Sequence, residues 1–226
     1  MKFKVILLFI ILSCFSLNGL TFSINYKDST THKIFPKSYG KKKWKVLVGL
    51  DARRSYFNNQ KVKINGLRLG AQYKGVHRFG FGFYALSESI IINSVNVDAV
   101  DAANPTNLRV SVGFSTLFYE RVFYKVPKWE VALPIYLGSG KLRTEYINNL
   151  GNYKPLDKTS FSVLGLGIGV KYYIFTWLAP RVMFGYRFTY NTVPEIRNAF
   201  NTPFYTIGLS ISIGELYKSI FKKEKK

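Results

Sequence analysis

An alternation of apolar with small or polar residues recurs along most of this 226-residue chain. Tyr205, Ile207, Leu209, Ile211 and Ile213 alternate with Thr206, Gly208, Ser210, Ser212 and Gly214. Leu164, Leu166, Ile168, Val170 and Tyr172 alternate likewise with Gly165, Gly167, Gly169 and Lys171, and Val182, Phe184, Tyr186 and Phe188 with Met183, Gly185 and Arg187. Successive side chains of a strand point to opposite faces, so a period of two makes each stretch a β-strand with one apolar face.

The same periodicity divides the chain into eight segments: Trp44–Tyr56, Val62–Lys74, Arg78–Ser87, Leu108–Tyr124, Trp129–Arg143, Phe161–Ile174, Pro180–Tyr190 and Pro203–Tyr217. Most have the roughly 9–11 residues a tilted strand needs to cross the hydrocarbon of a bilayer. Turn residues separate them at Asn58-Asn59, Lys74-Gly75, Val126-Pro127, Gly151-Asn152 and Thr202-Pro203. The connections near Gly75, Pro127 and Thr176 are short, whereas Glu88–Asn107, Tyr146–Ser160 and Asn191–Thr202 are long and the first connection on their side, near Asn59, is short. Short turns at one end and long loops at the other are how bacterial outer-membrane barrels are built, and an even strand number leaves both termini in the periplasm.

Which face points inward is decided by composition. The less apolar face carries Gly and Ser with scattered charges: Asp51, Arg53, Arg68, Gln72, Arg109, Ser111, Gly113, Glu130, Lys171 and Arg187. A water-soluble exterior would be dense in Lys, Glu, Asp and Thr; small residues with a few charges suit the lumen of an eight-stranded barrel, which side chains just fill. The opposite face, nearly all Val, Leu, Ile, Phe and Tyr, suits lipid. In lipid every backbone group must be paired, so the sheet must close. The expected fold is all-β: a closed, antiparallel, eight-stranded up-and-down transmembrane β-barrel. The chain holds 16 Tyr and 19 Phe. Trp44, Tyr73, Phe79, Tyr124, Trp129, Tyr172, Tyr173, Phe175, Trp177 and Tyr217 fall at the periplasmic strand ends, as an interfacial aromatic girdle requires.

The flanks divide the chain further. Residues 1–19 read as a secretory signal peptide: a basic Met-Lys-Phe-Lys start, an apolar run from Val5 to Leu12, then small residues near Ser16 and Gly19. Residues 20–43 form a polar periplasmic lead-in, 44–217 the barrel and 218–226 a basic tail. The lone cysteine, Cys14, is either removed with the signal or, through Ile11-Leu12-Ser13-Cys14, a lipid attachment point. Cleavage after it leaves no cysteine and excludes a disulfide scaffold. Leu216, Tyr217, Ile220 and Phe221 have helical spacing, which makes the tail either a short amphipathic helix on the inner leaflet or a solvated end.

The eight-strand pattern and the stretch Phe161-Ser-Val-Leu-Gly-Leu-Gly-Ile-Gly-Val-Lys-Tyr-Tyr resemble the small outer-membrane β-barrels of the OmpA/OmpX-like, porin-family type over Trp44 to Tyr217. Members of that type often end on an aromatic residue read by the barrel-assembly machinery, a partner expected during insertion. Here Lys218 to Lys226 follow the last strand, which makes such a signal, through Leu216-Tyr217, internal. Some barrels of this size resemble lipid A acylases or deacylases with Ser/His machinery near the outer leaflet. The only histidines are His32 in the lead-in and His77 in a periplasmic turn, and Glu88, Asp98, Asp101, Glu145 and Asp157 are scattered in or beside the long loops. No enzyme, cofactor or metal site is expected.

The net charge of +21 points elsewhere. An exported chain rarely meets nucleic acid, so the expected partners are membrane phosphates, including those of lipopolysaccharide. Arg54, Lys61, Lys63, Lys141 and Arg143, with Arg53, Lys154 and Lys158 close by, fall at the extracellular ends and loops, and are either lipopolysaccharide contacts or solvated strand ends. In the lumen, Asp51 and Arg68 face each other across a hairpin and are expected to pair. The lumenal charges Asp51, Arg53, Arg68, Arg109, Glu130, Lys171 and Arg187 are read as a structural plug, with a pore lining as the alternative. The expected role is structural or surface interaction through the long loops. A narrow anion-preferring channel, or an accessory subunit of an envelope secretion or assembly machine, remains beside it.

Overall fold

The computed structural model describes residues 22–24, 32–34, 44–57, 60–92, 108–147 and 153–221. Strands β3 (Trp44–Phe57), β4 (Gln60–Tyr73), β5 (His77–Leu86), β7 (Leu108–Lys125), β8 (Trp129–Ile147), β9 (Tyr153–Tyr172), β10 (Leu178–Tyr190) and β11 (Thr202–Ser212) form the barrel. Each pairs antiparallel with its sequence neighbour in that set, and β11 pairs with β3 to close the ring. The fold is thus a closed, eight-stranded, up-and-down β-barrel. A short β6 (Ile90–Ile92) continues the pairing on β7 beyond the end of β5, and β1 (Phe22–Ile24) and β2 (His32–Ile34) form a separate ribbon within the lead-in.

Local chemistry explains the turns. The β4–β5 connection closes at Lys74 and Gly75, both at positive φ (51° and 73°), with the Val76 amide donating to the Tyr73 carbonyl at 3.1 Å. Glycine accepts that backbone geometry without strain. Inside the barrel, Gly165 serves a different end: a Cβ there would overlap the Tyr136 ring that lies against it.

Three elements depart from the sequence reading. The last strand, expected to run to Tyr217, stops at Ser212, and helix α2 (Ile213–Phe221) follows directly. The expected loop 146–160 is largely strand, because β8 runs up to Ile147 and β9 starts at Tyr153. The expected loop 191–202 holds helix α1 (Pro194–Phe200), begun by a proline whose missing N–H costs nothing in the first turn. The signal peptide with Cys14, the loop residues Asp98 and Asp101, and the tail from Lys222 lie outside the described residues.

The alternation changes sign halfway up the wall. Near the short turns the barrel is apolar outside and charged inside: Phe81, Phe184 and Ile207 are 58%, 60% and 56% exposed, while Arg78, Glu120 and Glu130 are buried. Near the long loops the order reverses. Val62, Ile64, Val110, Val112, Leu142, Phe161 and Val163 form a buried core, and Arg54, Lys61, Lys63, Lys141, Arg143 and Lys158 are exposed. A strand rises about 3.3 Å per residue, so the longest strands outrun the hydrocarbon and their upper parts meet water, where an apolar lining is the stable arrangement.

Candidate functional site

The lower lumen is an ion-pair network built from six strands. Glu120 on β7 is its centre: Oε1 lies 2.7 Å from Arg68 Nη2 and 2.6 Å from Arg181 Nη2, and Oε2 lies 3.6 Å from Arg78 Nη1. Arg78 Nη2 continues to Glu130 Oε1 at 2.5 Å, and Glu130 Oε2 accepts from Tyr173 Oη at 2.9 Å and faces Lys125 Nζ at 3.4 Å. Asp51 receives Tyr84 Oη at 3.2 Å and lies 3.8 Å from Arg68 Nε and 4.0 Å from Arg181 Nη1. Asp51 and Arg68 therefore meet diagonally, since the register places Gly66 opposite Asp51 and Gly49 opposite Arg68. Lys171 Nζ donates to Ser210 Oγ at 3.2 Å. Such charges persist in a dry interior because each has a counter-charge or hydrogen-bond partner.

Above this network Arg53 is held chiefly by rings. Its guanidinium carbon lies 4.5, 4.7 and 4.5 Å from the ring centres of Tyr84, Tyr136 and Phe204, and Nη1 donates to Tyr136 Oη at 3.1 Å. Three aromatic faces present their negative quadrupoles to one cation. Higher still, Arg187 Nε donates to the Phe200 carbonyl at 3.1 Å, and Nη2 reaches Ser55 Oγ and Thr202 Oγ1 at 3.3 Å each. Arg187 thereby ties α1 to the wall. Phe200 itself sits on Phe57 and Phe161, with ring centres 4.8 and 5.4 Å away, and completes the apolar core at the long-loop end. Below the network, a vestibule of about 320 Å³, whose lining includes Lys45, Arg78, Lys125, Lys171 and Ser212, lies at the short-turn end.

Of the lumenal residues expected from sequence, Asp51, Arg53, Arg68, Glu130, Lys171 and Arg187 are buried inside the barrel. Arg109 is not among them. Val110 and Val112 point inward, so Arg109, Ser111 and Gly113 face out, and Arg109 Nε donates to Ser89 Oγ at 2.8 Å. That strand portion stands in the inverted upper zone, where the polar face is the outer one. The same inversion hid Glu120, the hub: reading Arg109 as inward puts every even residue of β7 outside. Arg78 and Arg181, absent from the lumenal residues expected from sequence, belong to the network too.

The outer wall can be followed in register across β7, β8 and β9. Leu117, Leu137 and Leu164 form one row, Ser115, Ser139 and Ser162 the next, then Gly113, Lys141 and Ser160, then Ser111, Arg143 and Lys158. Apolar becomes small and polar, then cationic, within three rows, and a trough of about 800 Å³ runs along them. On the opposite side of the barrel, Leu50 pairs with Leu67, Ala52 with Asn65, Arg54 with Lys63 and Tyr56 with Lys61. Among the described residues, none of Arg54, Lys61, Lys63, Lys141, Arg143 or Lys158 has an ion pair.

At the short-turn end Trp44 and Trp129 are 54% and 50% exposed, each against a neighbouring tyrosine, Tyr73 and Tyr172, with ring centres 4.8 Å apart. Trp177 stacks on Phe175 at 5.6 Å. Tyr173 departs from this girdle and turns to Glu130, and Tyr217 lies on α2 rather than on a strand. His77 Nδ1 lies 2.8 Å from Tyr119 Oη at the short-turn end. Asp157, on the protruding part of β9, is held below the usual carboxylate range by the Thr159 hydroxyl at 2.7 Å. Among the described residues no group of His, Cys, Asp and Glu could hold a metal ion, and no helix is long and apolar enough to cross a membrane.

A closed eight-stranded barrel, apolar and aromatic-girdled outside and charged within, has the architecture of the small outer-membrane β-barrels. Solved structures of similar architecture include neisserial surface protein A, 12% identical over 77% of this chain and 100% of that one, TM-score 0.40. Others are Ail of Yersinia pestis (13%, 75% and 95%, TM-score 0.42) and a major outer membrane protein of Thermus thermophilus (15%, 74% and 99%, TM-score 0.47). No protein family and no curated protein matches the sequence. None of these likenesses carries a function to this chain.

Proposed function

We propose that this chain is an integral outer-membrane protein, exported by its N-terminal signal, with both chain termini on the periplasmic side of the barrel. It conducts no solute, performs no chemistry, and acts through its outer rim on phosphate-bearing membrane lipids, lipopolysaccharide among them. The observation that carries this reading is the lumen. Glu120, Glu130 and Asp51 are committed to cations, and the column of Phe57, Phe161 and Phe200 closes the long-loop end. A base already committed to guanidinium partners is a poor proton acceptor.

The rim supports the lipid part. Arg54 lies directly opposite Lys63, and Arg143 opposite Lys158. Like charges in that relation repel, and a bridging phosphate relieves the repulsion with charge-assisted hydrogen bonds. The rows that carry these cations lie just above the apolar belt, at the level of lipid headgroups.

A second reading, a narrow anion-preferring channel, is favoured by the vestibule with its Lys45, Lys125 and Lys171. That vestibule ends at the Glu120 network. Planar-bilayer recording of the refolded protein separates the two: a silent membrane is expected, and steady, anion-selective steps would overturn the closed-lumen reading.

A further inference from the structure

Helix α2 follows β11 without a loop, yet it has no buried residue. Ile213, Leu216, Tyr217, Ile220 and Phe221 recur at spacings of three and four and so share one face. Ile213, Tyr217, Ile220 and Phe221 are exposed, Tyr217 at 64% and Phe221 at 62%, and the two rings pack on each other at 4.7 Å. The opposite face is fixed to the barrel: Glu215 Oε1 lies 3.2 Å from Lys45 Nζ at the lumen mouth. This ion pair holds the polar face inward and turns the apolar face away from the protein. The 9 residues of α2 are too few for a helix that stands alone in water, so something covers that face.

We propose that the cover is the membrane itself: α2 lies in the periplasmic leaflet as an interfacial anchor and prefers anionic phospholipid. The proposal rests on the transmembrane reading above and adds a second contact with the bilayer. Two observations select lipid over a protein partner. The helix starts within the aromatic girdle, since the Ser212 amide donates to the Trp177 carbonyl at 2.8 Å and Glu215 grips the residue next to Trp44. Its apolar face therefore continues the apolar outer wall. The sequence also supplies cations for headgroups, with Lys218 in the last turn and Lys222, Lys223, Lys225 and Lys226 after it.

The test uses the full chain in a Cys14→Ser background, refolded into phosphatidylcholine vesicles with or without phosphatidylglycerol. Single cysteines replace Tyr217, Ile220 and Ser219 and carry a nitroxide. Labels at 217 and 220 are expected to be several-fold more accessible to oxygen than to a water-soluble nickel chelate, and the label at 219 to show the reverse. The contrast should deepen with phosphatidylglycerol. A Glu215→Gln variant is expected to blur the difference between the two faces while the folded-barrel gel shift persists. Water-like accessibility at 217 and 220 in a folded, inserted barrel would overturn the proposal and make a protein the occupant. Burial indifferent to phosphatidylglycerol would overturn the preference for anionic lipid. A chain that inserts in no vesicle would instead overturn the transmembrane reading on which the proposal rests.

Discussion

Glu120 shows how much one lumenal residue holds. Three guanidinium groups converge on its carboxylate, two of them within 2.7 Å. Glu120→Gln leaves Arg68 and Arg181 without their nearest counter-charge, and breaking a buried pair in this way costs about 3–5 kcal/mol. The expected result is a matching fall in the urea midpoint of the compact, heat-modifiable form. Arg53 supplies the contrast, because rings hold it and Asp51 keeps Tyr84 and Arg68 without it. Arg53→Met keeps the volume and removes the need to desolvate a charge, so its cost should be less than half that of Glu120→Gln in the same titration. Equal losses would show that the aromatic cage is not what stabilises Arg53. Asp51 and Lys171 are readable from sequence because apolar residues flank them, Leu50 beside the one and Val170 and Tyr172 beside the other. Arg53 follows from Asp51, two residues before it on the same face. Glu120 is not, because β7 carries Arg109 and Ser111 at its upper end and so suggests the opposite phase.

Among the elements, the alternating stretches of β9, β10 and β11 are legible and their faces fall where the pattern puts them, except that β11 ends at Ser212, where α2 takes over from the expected strand. The upper β8–β9 hairpin is not. Its residues are polar on the outside and it contains Pro155, so nothing local separates it from a loop; pairing such as Arg143 with Lys158 makes it strand. Helix α1 was hidden because a seven-residue helix has little periodicity of its own and is stabilised by Phe200 entering the barrel. That dependence is testable. Phe200→Ala removes a fully buried ring and should cost about 3–5 kcal/mol in the same urea titration. Replacing residues 191–201 by a short Gly-Ser linker should leave the barrel inserted, as the gel shift reports, but open its upper end. Transient conductance absent from the parent protein is then expected in planar bilayers. An equally silent linker variant would mean that the Glu120 network alone seals the lumen.

At the scale of the molecule, the wall is a membrane barrel below and a water-soluble barrel above, joined where serine rows replace leucine rows. A single rule of apolar outside and polar inside explains the lower half and fails in the upper one, because the surrounding solvent changes along the strand. Arg54 and Lys63, and Arg143 and Lys158, stand just above this junction on opposite sides of the barrel, the height at which the proposed lipid role needs them. Converting these four residues to Gln removes charge without touching the buried core, so the folded gel shift should be unchanged. A cation near an anionic surface contributes about 1 kcal/mol, so the four together set an upper bound of roughly a thousandfold in affinity. Binding of the refolded variant to lipopolysaccharide micelles should weaken toward that bound and depend less steeply on salt, because four of the screened charges are removed. Binding to neutral phosphatidylcholine should stay as it was. If the variant holds lipopolysaccharide as tightly as the parent across a salt series, the paired cations are merely solvated strand ends and the rim has no lipid role.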